Sequence, residues 1–595
     1  MSFAQAFHKA KKNKSQKGED SNINIPDPNQ EDNWEKPNPE RVPMMYRAQV
    51  QGRCSLQYGK NNKDLDRWTQ EWVDPKSETD RTPFYQYAEP KLGQDGSVYR
   101  IKIEFPFRVF TNCGQDSILR PTIGKNGIPF IPGSSIKGLF QRLSRHPQVS
   151  QDDKQKVQKY CGSPEQQGIL RFHGAYPIGD WAGTKTVELR DNQQETRYRF
   201  IDVVHPQQKR QVQGNDSPKA IALASFYQPT FVFELSSTKP LEDNEWEKIK
   251  GLLKRALRAG IGGKTSTGYG LYSIPQDKYP LWVDLKGIGV SPLLRSNEPE
   301  FRPNVFKATL KGHVNRLLAG VSNDENVIKT KSNTLFGDTG SPGKLQIYWE
   351  ANKGFPKHDT QGIEQTPVYE TKGKFYLDAP DRDINFLKKV LEFTLIMGGL
   401  GKSWRRVWHK DFFPTYKTRA IGCHWEWLDS DLNDRPLEDA PAIRDGRMAI
   451  QNSNDLNSFL EGLRHESMNY LRVNVNANAV QCLSWKEAWH PDRVLVYSQV
   501  VSESQIVELF HDSLFKTTPA IGGRKPGDER PTFVSSVWHR MLPLPNNQYL
   551  EIVTIFHGDR TAWKRQGQDQ LNPFIKAIKS ALKITPPTWG NESKL

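Results

Sequence analysis

At 595 residues the chain is too long for one ordinary hydrophobic core, so about two to four domains are expected. Hydrophobic residues make up 36% and aromatic residues 11%, with 16 Trp, which excludes a mainly disordered polymer. The 83 Lys and Arg against 68 Asp and Glu leave a charge of +15, which favours a polyanionic partner, and without a long apolar window no transmembrane helix or membrane partner is expected.

Residues 1–42 combine the cluster Lys9, Lys11, Lys12, Lys14 and Lys17 with Pro, Asn, Asp and Glu, and read as a disordered basic and polar tail. The N-terminus has no apolar core before its charges and no small-residue cleavage site, so it does not read as a secretory signal. The five cysteines, Cys54, Cys113, Cys161, Cys423 and Cys482, are scattered, odd in number and free of C-x-x-C spacing. Neither a disulfide framework nor a zinc site is indicated, and a reducing cytoplasm fits best.

Three blocks then recur in the same order. In a first unit (43–275) they read IPFIPGSSIKGLFQRLSR (128–145), CGSPEQQGILRFHG (161–174) and GIGGKTSTGYG (260–270). In a second unit (276–430) they read FKATLKGHVNRLLAG (306–320), FGDTGSPGKLQIYW (336–349) and GGLGKSWRRVW (398–408). Lys137 and Gly162 are 25 positions apart, and Lys311 and Gly337 are 26 apart. Lys137 to Lys264 is 127 and Lys311 to Lys402 only 91, so the first unit carries an insertion, placed at about 176–225. In it, TRYRFIDVVHPQQKRQV (196–212) alternates aromatic and basic residues.

Each glycine-rich loop follows a strand-like run, TFVFEL (230–235) or KFYLD (374–378), and an amphipathic helix. The first helix places Trp246, Ile249, Leu252, Leu253 and Leu257 on one face behind Asp243 or Asn244. The second places Ile384, Leu387, Val390, Leu391 and Leu395 behind Asp383. GLYSI (270–274) is a strand candidate after the first loop. The block opening at Gly133 reads as a helix behind a Pro-Gly turn. This order predicts an α+β fold of two tandem ferredoxin-like (RRM-like) units with insertions. Residues 431–595, with AIGGRKPGDERP (520–531), the apolar YLEIVTIF and a closing helix (571–584), are expected to complete the second unit.

The chemistry of these blocks points to phosphate. A helix N-terminus behind Pro132 and Gly133 offers unpaired N–H groups and a positive dipole end; Ser134 and Ser135 add hydroxyls, and Lys137 and Arg142 add charge. In the loop, Gly260, Gly262, Gly263, Gly268 and Gly270 permit close backbone approach while Lys264, Thr265 and Ser266 donate. Lys311, Arg316, Lys402, Arg405 and Arg406 are the corresponding RNA-binding candidates of the second unit. SWRRVWHKDFFPTYKTR (403–419) mixes Arg405, Arg406, Lys410, Lys417 and Arg419 with Trp404, Trp408, Phe412 and Tyr416, as base stacking requires. A P-loop ATPase is excluded, because Arg258 and Ile396 stand where the Walker glycine belongs and both loops follow helices.

PFIPGSSIKG with a following helix, together with GIGGKTSTGYG after a helix, resembles the RAMP superfamily of CRISPR-associated proteins, in particular the family-seven backbone subunits of type III effector complexes. The likeness is good over about 95–275, moderate over 280–410 and poor over 431–595. It implies a cytoplasmic ribonucleoprotein in which the chain binds CRISPR guide RNA, a complementary single-stranded target RNA and other type III effector subunits. It implies that 196–212 forms a thumb wedged between bases. It also implies a catalytic, metal-holding Asp116, 17 positions ahead of Gly133, supporting endoribonuclease cleavage with a divalent cation such as Mg2+. The second unit has only Glu298 and Glu300 at the matching place and is expected to bind without cutting. His173 and His205 are not assigned a role. A non-catalytic RNA-binding scaffold, or an endonuclease that processes precursor guide RNA, are the alternatives.

Overall fold

The computed structural model describes residues 89–595 apart from 112–121, 124–128, 146–148, 189–192, 205–208, 215–220, 274–279, 295–296, 339–340, 342, 363–364, 417, 429–449, 474–480 and 523–533. The expected tail 1–42, Asp116, His205 and most of the 520–531 loop lie outside the described residues.

In chain order the first unit runs β1 (Gly93–Asp95), β2 (Val98–Glu104), β3 (Thr122–Ile123), β4 (Pro129–Pro132), α1 (Gly133–Ser144), α2 (Gln151–Cys161), β5 (Leu170–Ile178), β6 (Thr184–Glu188), β7 (Gln194–Tyr198), β8 (Ile201–Val204), α3 (Lys209–Gln213), β9 (Ile221–Ala224), β10 (Thr230–Ser237) and α4 (Asp243–Leu257). Its main sheet is antiparallel in the order β1-β2-β10-β5-β4-β3. Phe231, Val232, Phe233 and Leu235 of β10 are buried, and α4 turns Trp246, Ile249, Leu252, Leu253 and Leu257 inward, the face that helical spacing predicts. Tyr99 of β2 stacks on Trp246 at 4.6 Å and ties the sheet to the helix.

GLYSI forms no strand in its described part. Lys264, Gly268 and Gly270 adopt left-handed φ, which curls the chain, and Leu271 packs beside Tyr348 and Tyr376 of the second unit. Gly263 N–H to Phe110 O (2.7 Å) and Gly270 N–H to Arg108 O (2.8 Å) hold this segment against the chain that continues from β2.

The second unit comprises β11 (Leu281–Val290), α5 (Asn304–Ala319), α6 (Glu325–Phe336), β12 (Gln346–Ala351), β13 (Lys357–Gln361), β14 (Thr366–Asp378), α7 (Asp381–Met397) and β15 (Cys423–Trp427). The sheet order β12-β14-β11-β15 is antiparallel throughout, with β13 extending β14 as a ribbon. β11 and β14 therefore lie side by side at the centre, and β12 and β15 flank them.

The described residues of 431–595 add no strand to that sheet. After α8 (Ser453–Leu471), strands β16 (Val494–Val501), β17 (Val537–Leu544) and β18 (Gln548–Phe556) make a separate sheet in the order β16-β18-β17, and α9 (Leu571–Leu582) closes the chain. The segment shares one core with the second unit, in which Leu456, Leu460, Val494, Trp538 and Phe556 join Leu310, Val314, Leu391 and Trp404.

The described residues of the insertion are docked on the second unit, and 189–192, 205–208 and 215–220 of it lie outside the described residues. Glu298, at 4% exposure, holds the β6–β7 hairpin down through Lys185 (2.7 Å) and Arg197 (3.2 Å). Val212 of α3 is fully buried in the second unit's core, and the Val212 and Gln213 carbonyls accept the N–H groups of Glu487 and Lys486. In the described part of 196–212, Tyr198, Phe200 and Ile201 are buried and Arg197 and Arg199 are half-buried.

Candidate nucleic-acid interface

Helix α1 has Pro132 at its N-cap, no side-chain cap and no acid in its first turn, so its first N–H groups and dipole end have no side-chain competitor. Gly133 is required by close approach: a Cβ there would lie 1.8 Å from the Phe172 carbonyl oxygen of β5. Ile136, Leu139 and Phe140 face the core, which leaves Ser134, Ser135, Lys137 and Gly138 exposed on the other side. A Cβ at Gly138 would meet nothing within 4 Å.

The two signature blocks of the first unit touch. The Arg142 guanidinium of α1 donates to the Gly260 carbonyl at the start of the glycine-rich loop. Gly262, Gly263 and Lys264 follow, with Gly262 and Lys264 exposed. Gly262 has φ +80, and a Cβ on it would lie 2.2 Å from the Phe110 carbonyl oxygen. These glycines thus let the loop close on its own sheet. Thr265–Thr267 form a 3-10 turn between Lys264 (φ 58) and Gly268 (φ 94).

The repeat is visible in the backbone. Gly162 and Gly337 end α2 and α6 with φ 89, ψ 171 and φ 82, ψ 165. A Cβ on Gly162 would meet Gly168 N at 2.5 Å, and one on Gly337 would meet Gly343 N at 2.7 Å. In the loops, left-handed φ alternates at Gly260, Gly262 and Lys264 and again at Gly399, Gly401 and Ser403. By this register Ser403, one residue beyond Lys402, is the counterpart of Lys264.

The second unit's cations have a different fate, and the expectation that they contact RNA requires correction for three of them. Lys311 is buried and donates to Gly337 O (3.1 Å) and Asn333 Oδ1 (3.4 Å). Arg316, fully buried, bonds Glu487 Oε2 through Nε at 2.7 Å and lies against the rings of Trp404 and Trp538. Arg405 covers Trp404 and donates to both Glu487 oxygens at 3.0 and 3.1 Å. Burial opposes the charge on Glu487, but Arg316 and Arg405 outweigh it and hold its carboxyl below the ordinary range. Trp404 and Trp408 are buried and unavailable for stacking, Tyr416 stacks on His511 at 4.2 Å, and half-buried Phe412 lies against His424 and Tyr549. Lys402 and Arg406 remain exposed, the first bonded to Ser291 O (3.4 Å) and the second to Gly522 O (3.3 Å).

A polar seam joins the units. Arg108 makes a bidentate pair with Glu300 (2.7 Å to each oxygen), Arg302 pairs with Asp202 (3.0 Å), and Tyr269 donates to Asp202. The carboxylates that stand where a cutting unit would carry its Asp therefore serve as bolts between units. Lys307 reaches Ser266 Oγ of the first loop at 2.7 Å and Leu345 O at 3.1 Å. Sequence reasoning missed Lys307; the only signal was its i,i+4 spacing from Lys311, which puts both on one helical face.

Among the described residues no group of three His, Cys, Asp or Glu side chains is placed to hold a metal ion. Among them, too, no helix is long and apolar enough to cross a membrane, and Cys161, Cys423 and Cys482 are free thiols.

No curated protein matches the chain. Among solved structures it is similar to a chain of the type III-B Cmr-beta complex bound to cognate target RNA, at 19% identity and TM-score 0.22; it spans 58% of that chain with 29% of its own. It is similar to Cmr1 from Pyrococcus furiosus at 16% identity and TM-score 0.32, covering 98% of that chain with 52% of its own. Cmr6 from Pyrococcus furiosus is matched at 19% identity and TM-score 0.19, over 97% of its length and 30% of this chain. The family model of the RAMP superfamily matches residues 109–273, the stretch that holds α1, the α2 turn and the first glycine-rich loop. The part of the chain that matches the RAMP superfamily model thus lies within its first unit.

Proposed function

We propose that the chain is a guide-RNA-binding subunit of a type III CRISPR ribonucleoprotein, holding the RNA backbone across the first unit. One observation carries this reading: Ser134, Ser135, Lys137 and Lys264 are exposed on two elements that Arg142 and Gly260 join, inside the RAMP-matching stretch. Hydroxyls, an uncapped helix end and two ammonium groups suit ribose-phosphate and carry no base-edge pattern, so the contact would be indifferent to guide sequence. A complementary target RNA and other effector subunits are the further partners this role implies.

Cleavage of the target is a second layer of the proposal and rests on Asp116, with a divalent cation such as Mg2+ held there to assist a 2′-OH attack on the neighbouring phosphate. The non-catalytic scaffold is favoured for the second unit by a specific observation, because Glu298 and Glu300 are engaged with Lys185, Arg197 and Arg108.

Photocrosslinking of RNA bound to the purified full chain tests the grip. Crosslinked peptides should fall in 133–142 and 260–268; crosslinks confined to 304–320 or 403–419 would overturn it. In the assembled complex, Asp116→Ala should abolish target cleavage while leaving guide RNA bound, and unchanged cleavage would leave only the scaffold.

A further inference from the structure

The strongest unexplained feature is an ammonium in the seam. Lys307, on α5 of the second unit, is 4% exposed, and no carboxylate among the described residues pairs with it. It donates to Ser266 Oγ at 2.7 Å and to the Leu345 carbonyl at 3.1 Å. Burying a cation without a counter-charge is costly, so its retention here calls for a ligand or a positional reason.

The chemistry of the contact supplies one. An ammonium has three donors and no acceptor, so Ser266 Oγ must accept from it, and the hydroxyl proton is left for another acceptor. Among the described residues nothing takes that proton. A neutral amine loses one donor and gains a lone pair, which can accept from the same hydroxyl and draw its proton inward. Ser266 sits in the 3-10 turn two residues from exposed Lys264. Resting on the RNA-binding reading of the first unit, we propose that Lys307 is a positioning residue which, from the second unit, fixes the Ser266 hydroxyl as an outward donor to an RNA phosphate.

The surroundings make this contact sensitive to pH. Burial first, and Lys311 one turn along α5 second, push the Lys307 ammonium down to about 7. Lys264 on the loop, Tyr348 and Glu350 on β12, and Lys311, His313 and Arg316 on α5 are titratable or charged groups of the three elements that meet at this contact, and Lys311 is the charged group that acts on Lys307. Glu350 accepts the Tyr376 hydroxyl, and His313 is enclosed by Phe393, Trp404 and Trp538. The sign follows: the outward donor is present while Lys307 is protonated and is lost as pH rises through about 7, so RNA binding takes up a proton.

The test is fluorescence anisotropy of a short labelled single-stranded RNA with the full chain, between about pH 6 and 8.5 at constant ionic strength. The parent should lose affinity by about three- to tenfold across that range. Lys307→Met should bind at the weak level throughout, Lys307→Arg should keep the strong level at high pH, and Ser266→Ala should be flat. A flat parent, or a Lys307→Met variant that keeps the parental pH profile, overturns the proposal while leaving the RNA-binding reading intact. A parent that binds no RNA at any pH defeats that reading and the proposal with it. If Lys307→Met does not fold by circular dichroism, the half-buried loop variant Ser266→Ala decides the matter alone.

Discussion

Helices α1 and α5 open the same block of an internal repeat, yet they treat their cations in opposite ways. α1 leaves Lys137 exposed with an uncapped N-terminus beside it, whereas α5 buries Lys307, Lys311 and Arg316. The difference comes from what covers each helix. α1 has one buried face, while α5 is enclosed by α3, by the shared core of residues 450–589 and by the first loop. A duplicated motif that gains a second covering layer cannot keep its charges for a ligand, because each buried cation then needs an internal acceptor. Arg316 found Glu487, and Lys311 found the carbonyl that ends α6.

The comparison is broken most forcefully at Arg316. Arg316→Ala leaves Glu487 buried with the Arg405 guanidinium still beside it, and stability in chemical denaturation should fall by about 3–5 kcal/mol. RNA affinity of the folded fraction should not change. A stable variant with weakened RNA binding would place Arg316 at the ligand after all.

Gly262→Ala forces a Cβ towards the Phe110 carbonyl oxygen at φ +80 and should cost about 1–3 kcal/mol of stability. An unaffected variant would mean that the loop does not close on its sheet.

A smaller effect is expected at the hairpin clamp. Burial raises the Glu298 carboxyl, but Lys185 and Arg197 outweigh it and hold it below the ordinary glutamate range. Its contribution is therefore present above the unfolded value of about 4.3 and lost as pH falls through the lower folded value. Glu298→Gln should flatten part of the acid limb of the stability profile, and a parallel limb would show that the hairpin is held by other contacts.

Gly138→Ala, in open space on α1, should stabilise by about 0.5–1 kcal/mol, since a helical glycine loses more entropy than alanine on folding. A loss of stability would mean that this face is covered.

These outcomes follow a division already present in the chain. The repeat was legible because glycines at turns obey local rules: Gly162 and Gly337 cap equivalent helices with nearly the same backbone angles. The apolar faces of α4 and α7 were legible from helical spacing, although α7 starts at Asp381, two residues ahead of Asp383. The fate of the cations was not legible. Ser266 meets Lys307 from 41 positions away and Glu487 meets Arg316 from 171, and no local pattern encodes such pairings. The thumb expectation shows the same limit, since an alternating hairpin reads alike whether it meets RNA or Glu298.

The central claim is that α1 and the first loop offer Lys137 and Lys264 to RNA, whereas α5 keeps Lys307, Lys311 and Arg316 inside. Its most direct test is the salt dependence of RNA binding for the full chain and for Lys137→Ala/Lys264→Ala. Loss of two phosphate contacts should reduce the slope of log affinity against log salt by about 1.4, with the thermal midpoint unchanged. An unchanged slope, with RNA still bound at parental affinity, would contradict the account.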